Sequence, residues 1–281
     1  MRVILNMRRE NQQYIHGSSP KEQRRLAGLN ELLNQACLSE LALNGKESVL
    51  DIGSGLGQFT RAIARSVYPN GRVVGIERDA KQLAEARRSA GAAPERDRVE
   101  WRRGDASGLA LKKSERGRFD LAHARWVLEH IREPERVVKQ MIRAVRRGGR
   151  IVLADDDHQV FRLWPEPPDF AELWSAYLGA FKHLGCDPFV GRRLVELLHE
   201  AGAKPVRNTW VFFGSCAAQP GFPAFVSNLI GVIETARGII TGPLGLSSGQ
   251  FDGAIGAVRQ WSRRPDAAIW YGLCWAEGVR P

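Results

Sequence analysis

Hydrophobic positions along the chain follow two periods. Between about Pro20 and Leu43, Leu26, Leu29, Leu33 and Ala36 recur at helical spacing. Ser19, Pro20 and Glu22 supply an N-cap, a first-turn proline and the acid of a capping box, so this stretch predicts a helix. Short apolar runs and amphipathic stretches then alternate. "SVLDIG" reads as a buried strand, and "RVVGIE", "RVEWRRGDA", "FDLAHARW" and "RIVLADDD" as four further strands. "QFTRAIARSV" places Phe59, Ile63 and Val67 on one side of a helix, and Asp79 is placed to cap the helix "AKQLAEARRSAG". "EPERVVKQMIRAVRRGG" presents Val138, Met141, Ile142 and Val145 inward as a further helix.

Strand–helix alternation with strands apolar throughout predicts an α/β fold whose parallel sheet is covered on both faces. The ligand then belongs at the C-terminal ends of the strands, where the strand order reverses. After residue 160 the pattern changes to tryptophan-rich helical stretches, "DFAELWSAYLGAFKHLG" and "GRRLVELLHEAGA", and two strands, "VRNTWVFFGS" and "AIWYGLCWAEG". The chain therefore divides into an N-terminal helical cap (1–45), a cofactor-binding core (46–160), and helical lid insertions with final strands that complete the same domain (161–281).

Composition narrows the class. A chain of 281 residues, 43% hydrophobic, suffices for one large core. It has no run of eighteen apolar residues, so no membrane span is expected, and the start "MRVILNMRRENQQ" lacks the features of a secretory signal. The four cysteines are scattered without a C-x-x-C pair, as expected of idle thiols in a cytoplasmic protein. The net charge of +10 favours anionic ligands. The arginines are nevertheless dispersed, and Arg146 and Arg147 are expected at a helix C-terminus, facing its dipole. With no separate nucleic-acid module, the charge alone does not indicate nucleic acid.

The first strand runs into "GSGLG", with glycines at 53, 55 and 57. A dinucleotide loop reads G-x-G-x-x-G, but its third glycine would fall at position 58, which is Gln58. Glu77 closes the second strand 20 residues past Gly57, where a carboxylate can accept both ribose hydroxyls. Asp105 closes the third strand, placed to bond an adenine edge. In order and context, "VLDIGSGLG", "VVGIERD", "RRGDA", "FDLAHARWVLEHI" and "RAVRRGGRIVLADDD" resemble the class I S-adenosylmethionine-dependent methyltransferases over roughly residues 47–157.

That resemblance implies a Rossmann-like, seven-stranded, mostly parallel sheet with S-adenosylmethionine as cofactor and S-adenosylhomocysteine as product. Asp51, Gly53, Ser54 and Gly55 would face the methionine portion. Glu77 would hold the ribose with Arg78 beside the adenine, Asp105 and Ala106 would meet the adenine, and Ala124 and Arg125 would lie against the cofactor after strand four. "YIHGSSPKEQRRL", "VLEHI", "DDH" and "GCDPFVGRRL" further resemble a small-molecule branch related to the quinone-biosynthesis methyltransferases, in which the N-terminal segment covers the cofactor. Tyr14 is the candidate for that cover.

Methyl transfer is a displacement at carbon, for which the protein aligns the partners and takes a proton where the acceptor carries one. Asp157, His158 and His130 are the candidate catalytic groups. A loop-capping role for the Asp157–His158 pair and a structural role for His130 are the competing readings. Consecutive residues of "DDDH" point to opposite faces of a strand and converge poorly on an ion, so no metal is expected. The predicted activity is methylation of an oxygen or nitrogen of a small molecule, in secondary-metabolite or quinone biosynthesis. An RNA or protein methyltransferase and a non-catalytic cofactor-binding regulator are the alternatives. Aromatic lid residues Trp164, Trp174, Tyr177 and Phe181 are candidates to line the acceptor pocket or the lid core. A homodimer is compatible with the sequence.

Overall fold

The structure, a computed structural model, describes residues 33–91, 94–109 and 111–281. Residues 33–41 are helical, and Leu33, Cys37 and Leu41 share one buried face. Tyr14 and the part of the expected helix before Leu33 lie outside the described residues, and the helix ends at Leu41, two residues short of the expected Leu43.

Strands β1 (Ser48–Ile52), β2 (Arg72–Glu77), β3 (Val99–Arg103), β4 (Phe119–Arg125) and β5 (Val145–Asp156) pair in parallel in the order β3-β2-β1-β4-β5. Three more strands follow: β6 (Arg162–Trp164), β7 (Lys204–Cys216) and β8 (Ala268–Val279). β8 runs antiparallel to β5, β6 and β7. Among the described residues the sheet therefore has eight strands, where seven were expected. β8 is 12 residues long and β5 pairs with it only from Leu273 onward, so its first ladder positions are open and the short β6 fills them.

Helices α1 (Gln58–Val67), α2 (Ala80–Ala90), α3 (Pro134–Ala144) and α5 (Leu194–Glu200) flank this sheet, while α4 (Phe170–His183), α6 (Phe222–Thr235), α7 (Arg237–Thr241) and α8 (Ser248–Trp261) build the lid. Alternation along the strands sends side chains to two cores. Val49, Val73 and Leu121 pack with Phe59, Ile63 and Val67 of α1. Leu50, Ile52, Ala122 and Leu153 pack with Val137, Val138 and Met141 of α3 and with Leu194, Leu197 and Leu198 of α5. Burial of each large apolar side chain contributes about 1.5–3 kcal/mol. A third cluster, including Phe170, Leu173, Tyr177, Phe181, Leu229, Phe251 and Ile255, holds the lid together.

Two local expectations are corrected. Helix α3 stops at Ala144, because Val145 is already extended (φ −77°, ψ 152°) and pairs with Phe119. Arg146 and Arg147 therefore sit at the start of β5 and not on a helix end, and Arg146 Nε donates to Asp120 at 2.7 Å. Asp79 does cap α2 as expected, its carboxylate accepting the amides of Lys81 and Gln82.

The strand order reverses between β1 and β4, which opens a crevice at their C-terminal ends. Gly53 and Val127 meet across it so closely that a Cβ on Gly53 would lie 2.4 Å from Val127 Cγ2.

Candidate active site

The glycine loop joins β1 to α1 with Gly53, Gly55 and Gly57 at φ of 71°, 53° and 74°. In this left-handed region side chains are disfavoured. The loop's amides turn inward. Those of Gly53 and Ser54 both donate to the carbonyl of Ile76 (2.9 and 3.0 Å), that of Gly55 donates to Glu77 Oε2 (2.9 Å), and that of Gly57 to the carbonyl of Ser54 (2.8 Å). A phosphate cradle needs these groups pointing at its anion. Here they tie the loop onto β2, and the loop presents a side-chain-free wall instead.

That wall bounds a cleft of about 590 Å³ lined by Gly53, Gly55, Glu77, Arg78, Asp105 and Ala106 on one side and by Trp126, Val127, His130 and Ile131 on the other. Glu77 also accepts the Asp79 amide at 2.7 Å. Burial raises its carboxyl above the ordinary carboxylate range, while the amides of Asp79, Gly55 and Arg78 pull it back. Asp105 caps a short turn by accepting the Ser107 amide at 2.8 Å. Two carboxylates at the ends of adjacent strands, beside a wall without side chains, suit a ligand with a hydroxylated sugar and a small polar tail. The fit to S-adenosylmethionine is therefore good.

The other expected cofactor residues are placed elsewhere. Asp51 is buried behind the loop, where Thr60 Oγ1 donates to Oδ2 (2.6 Å) and His123 Nδ1 lies 2.8 Å from Oδ1. Ser54 is likewise buried, as is Ala124 within β4. The Arg125 guanidinium sits between the rings of Phe59 (4.0 Å) and Trp126 (4.5 Å) and donates to Asn34 Oδ1 (2.8 Å). These four are not among the cleft-lining residues, so their contribution is to shape the loop and wall from behind.

The candidate catalytic groups are separated in the same way. Asp157 is buried and held by the Arg192 guanidinium in a two-pronged pair of 2.7 and 2.6 Å. It caps the turn that begins at His158, accepting the Gln159 amide. His158 is buried among Trp174, Tyr177 and Phe181, and Nε2 meets Glu129 Oε2 at 2.9 Å. Neither lines the cleft. His130 does, stacked on Phe181 with its Nε2 3.3 Å from Glu129 Oε1. Burial lowers the His130 imidazole below its usual range, with Glu129 opposing, so the ring is neutral near neutral pH. The lid aromatics Trp174, Tyr177 and Phe181 belong to the lid core and Trp164 is exposed.

Sequence reasoning passed over Trp126, Glu129 and Tyr271, which complete the site together with Asp155 and Asp156. Trp126 has a positive φ of 54°, a conformation costing about 1–2 kcal/mol outside glycine. Its Nε1 donates to Asp156 Oδ1 (3.0 Å) and to Tyr271 Oη (2.8 Å), and Tyr271 in turn donates to Asp156. Glu129 joins the two histidines. Burial, with repulsion from Glu129, pushes the Asp156 carboxyl up to about 7, and burial drives Asp155 and Tyr271 up as well. Asp155 Oδ2 accepts the amides of Val127 (3.1 Å) and Leu128 (2.7 Å), which fixes the cleft wall from the next strand. Glu129, Asp156 and His158 bring ligand-type atoms within 4.8 Å of one another. The imidazole Nε2 lies 2.9 Å from Glu129 Oε2 and 3.8 Å from Asp156 Oδ2.

Comparison with known proteins places this geometry. Residues 50–153 match the model of a family described as a methyltransferase domain. The chain is 32% identical over 157 residues to a 37.1 kDa protein in transposon TN4556 of Streptomyces fradiae, covering 56% of this chain and 43% of that one. It is 31% identical over 158 residues to the demethylmenaquinone methyltransferase of Desulfitobacterium hafniense, covering 56% and 59%. The chain thus aligns with about half the length of these curated relatives. In fold it is similar to geranyl diphosphate C-methyltransferase from Streptomyces coelicolor, with a TM-score of 0.53 and 14% identity over 94% of this chain and 85% of that one.

Proposed function

We propose that this chain, a class I S-adenosylmethionine-dependent methyltransferase related to the quinone-biosynthesis enzymes, methylates an oxygen or nitrogen of a small molecule in quinone or secondary-metabolite biosynthesis. The observation that carries this reading is one cleft lined both by Glu77 and Asp105, which suit an adenosine, and by the neutral imidazole of His130. Among the described residues no helix is long and apolar enough to cross a membrane. All four cysteines are free thiols, in keeping with a reducing cytoplasm.

S-adenosylmethionine, when bound, supplies an electrophilic methyl group on a sulfonium that leaves as a neutral thioether. The chain's own residues do the rest. Glu77 accepts from the ribose hydroxyls, Asp105 and the backbone of Ala106 meet the adenine edge, and Gly53 and Gly55 admit the methionine portion. Trp126 and Val127 exclude water from the far wall. The acceptor's O–H or N–H bond breaks toward His130, whose ring nitrogen takes the proton. Such a base contributes about 10²–10⁴-fold.

A second reading is methylation of a ring carbon, favoured by the relative named as a demethylmenaquinone methyltransferase. The same imidazole would then deprotonate a phenolic hydroxyl and load its charge onto the ring. Calorimetric titration with S-adenosylmethionine, S-adenosylhomocysteine and NAD tests the cofactor, and binding of NAD alone overturns the assignment. A screen of phenols, quinols and amines with a labelled methyl donor tests the acceptor, and the labelled atom in the product separates the two readings.

A further inference from the structure

We propose that Glu129 is the positioning residue of the site, holding His130 against the cleft with one carboxylate oxygen while His158 braces the other. This role rests on the reading of His130 as the group that takes the acceptor's proton.

The geometry is that of a clamp. Glu129 is 3% exposed, and its two oxygens divide between two imidazoles: Oε1 lies 3.3 Å from His130 Nε2, and Oε2 lies 2.9 Å from His158 Nε2. Only His130 lines the cleft. Phe181 touches both rings, stacked on His130 (centroids 5.9 Å apart) and tilted against His158 (5.4 Å), so neither ring turns without disturbing the lid core. Behind His158 stands Asp156, Oδ2 to Nε2 3.8 Å, itself fixed by Trp126 and Tyr271. The line of contacts thus runs from the cleft into the lid core.

The charges around each ring give the clamp a function. His130 faces Glu129, His158 and Arg78. His158 faces Glu129, Asp156 and Asp157, the last neutralised by Arg192. Glu129 also feels Asp155 and Asp156. Burial alone would drive both imidazoles far toward the neutral form. For His158, burial is outweighed by Glu129 and the aspartates, and its basicity is raised. His158 Nε2 is thereby set to donate to Glu129 Oε2, which favours the carboxylate form. The Glu129 Oε1 beside it at 3.3 Å favours the His130 tautomer protonated at Nε2, which assigns proton uptake to Nδ1, and a carboxylate there stabilises the imidazolium once the proton arrives. His158, expected from sequence as a catalytic group, acts here through Glu129.

The test needs no acceptor. Histidine C2–H resonances of the full chain are titrated by NMR, with His130 and His158 assigned through His130→Asn and His158→Asn. In Glu129→Gln the midpoints of both rings fall by about one pH unit or more. In Glu129→Asp, which keeps the charge, the His130 midpoint lies between those of Glu129→Gln and the unaltered protein. An unchanged His130 midpoint in folded Glu129→Gln overturns the proposal. If Glu129→Gln does not fold, the unaltered protein decides. Rings that share a carboxylate each register the other's ionisation as a second inflection, and two independent single inflections overturn the proposal. Methyl transfer by the unaltered protein with uncoupled rings would remove Glu129's role alone. Coupled rings in a protein that neither binds S-adenosylmethionine nor transfers a methyl group would support the clamp while removing the methyltransferase reading.

Discussion

Glu77 Oε2 accepts the amide of Gly55 at 2.9 Å, so the carboxylate that lines the cleft at the end of β2 also clamps the loop after β1. Glu77→Ala removes a charged acceptor and releases the loop together. A hydrogen bond to a charged group is worth about 1.5–3 kcal/mol, so the dissociation constant for S-adenosylmethionine should rise about 10–100-fold. Calorimetry reads this directly, and unchanged affinity in the folded variant removes Glu77 from the site.

Two glycines of one loop should fail in different ways. A Cβ on Gly57 would lie 2.3 Å from the Trp101 ring and 2.9 Å from Ala86 Cβ. Gly57→Ala should therefore cost about 2–4 kcal/mol of stability, from overpacking together with the left-handed backbone. The nearest neighbour of a Cβ on Gly55 is Gln82 Oε1, a mobile side-chain end at 3.3 Å. Gly55→Ala should cost only about 1–2 kcal/mol of stability but should block the cleft. Chemical denaturation and cofactor titration of the two variants separate the effects, and equal losses on both axes for both variants would contradict the placement.

Proton uptake is assigned to His130 alone among the three candidate groups. His130→Asn should slow transfer to whichever acceptor the screen returns by about 10²–10⁴-fold, with a much smaller change in cofactor affinity. A normal turnover number rules this assignment out.

Asp157 and Arg192 should matter to stability instead. Removing the guanidinium leaves a buried carboxylate with only the Gln159 amide and its own turn to satisfy it. Arg192→Ala should cost about 1–3 kcal/mol in denaturant melts and leave cofactor affinity as it was. A large loss of cofactor affinity at unchanged stability would return Asp157 to the cleft.

Stability should fall as the pH rises from about 4 to 7. Asp156 keeps its proton in the folded chain up to about 7, whereas an unfolded aspartate releases it near pH 4. The folded chain therefore binds more protons across that window, and the linkage slope is negative. Burial raises Asp155 in the same sense. The raised His158 imidazole adds stability that is complete below its unfolded value and is lost as the pH climbs through the folded one. Glu115, held down to about 2 by Arg102, acts oppositely in acid, and the lowered His130 imidazole acts oppositely just below its unfolded value, so the two raised aspartates and His158 must outweigh it. Asp156→Asn should flatten the slope between pH 4 and 7 in urea melts, and an identical slope would show that Asp156 ionises normally.

The parts of the fold legible in the sequence are those governed by neighbours along the chain. Asp79 caps a helix through amides two and three residues away, and the glycine spacing encodes a turn whose three positive φ angles are local. Strand ends located Glu77 and Asp105 because side chains leave the sheet there. The active-site wall was not legible, because its contacts are long-range. Trp126 is secured by Tyr271, 145 residues away, and Asp157 is claimed by Arg192, 35 residues on. "DDDH" showed four polar groups at a strand exit but not their directions. Asp155 turns to the amides of Val127 and Leu128, Asp156 to Trp126 and Tyr271, and Asp157 to Arg192. The end of α3 was missed because Met141, Ile142 and Val145 continue an apolar helical rhythm through the residue where the backbone becomes extended.

Strand β8 lies inside the sheet, between β5 and β7, yet it follows the seven other described strands along the chain. A ribosome therefore delivers the glycine loop, both carboxylate strand ends and even His130 well before it delivers Tyr271, the residue that steadies Trp126. Until that strand inserts, β5 and β7 each expose a pairing edge, and the growing chain has a cofactor loop facing an unfinished wall. Competence for the proposed methyl transfer should thus wait on closure of the sheet, and the nascent protein is most in need of protection from aggregation just before that closure.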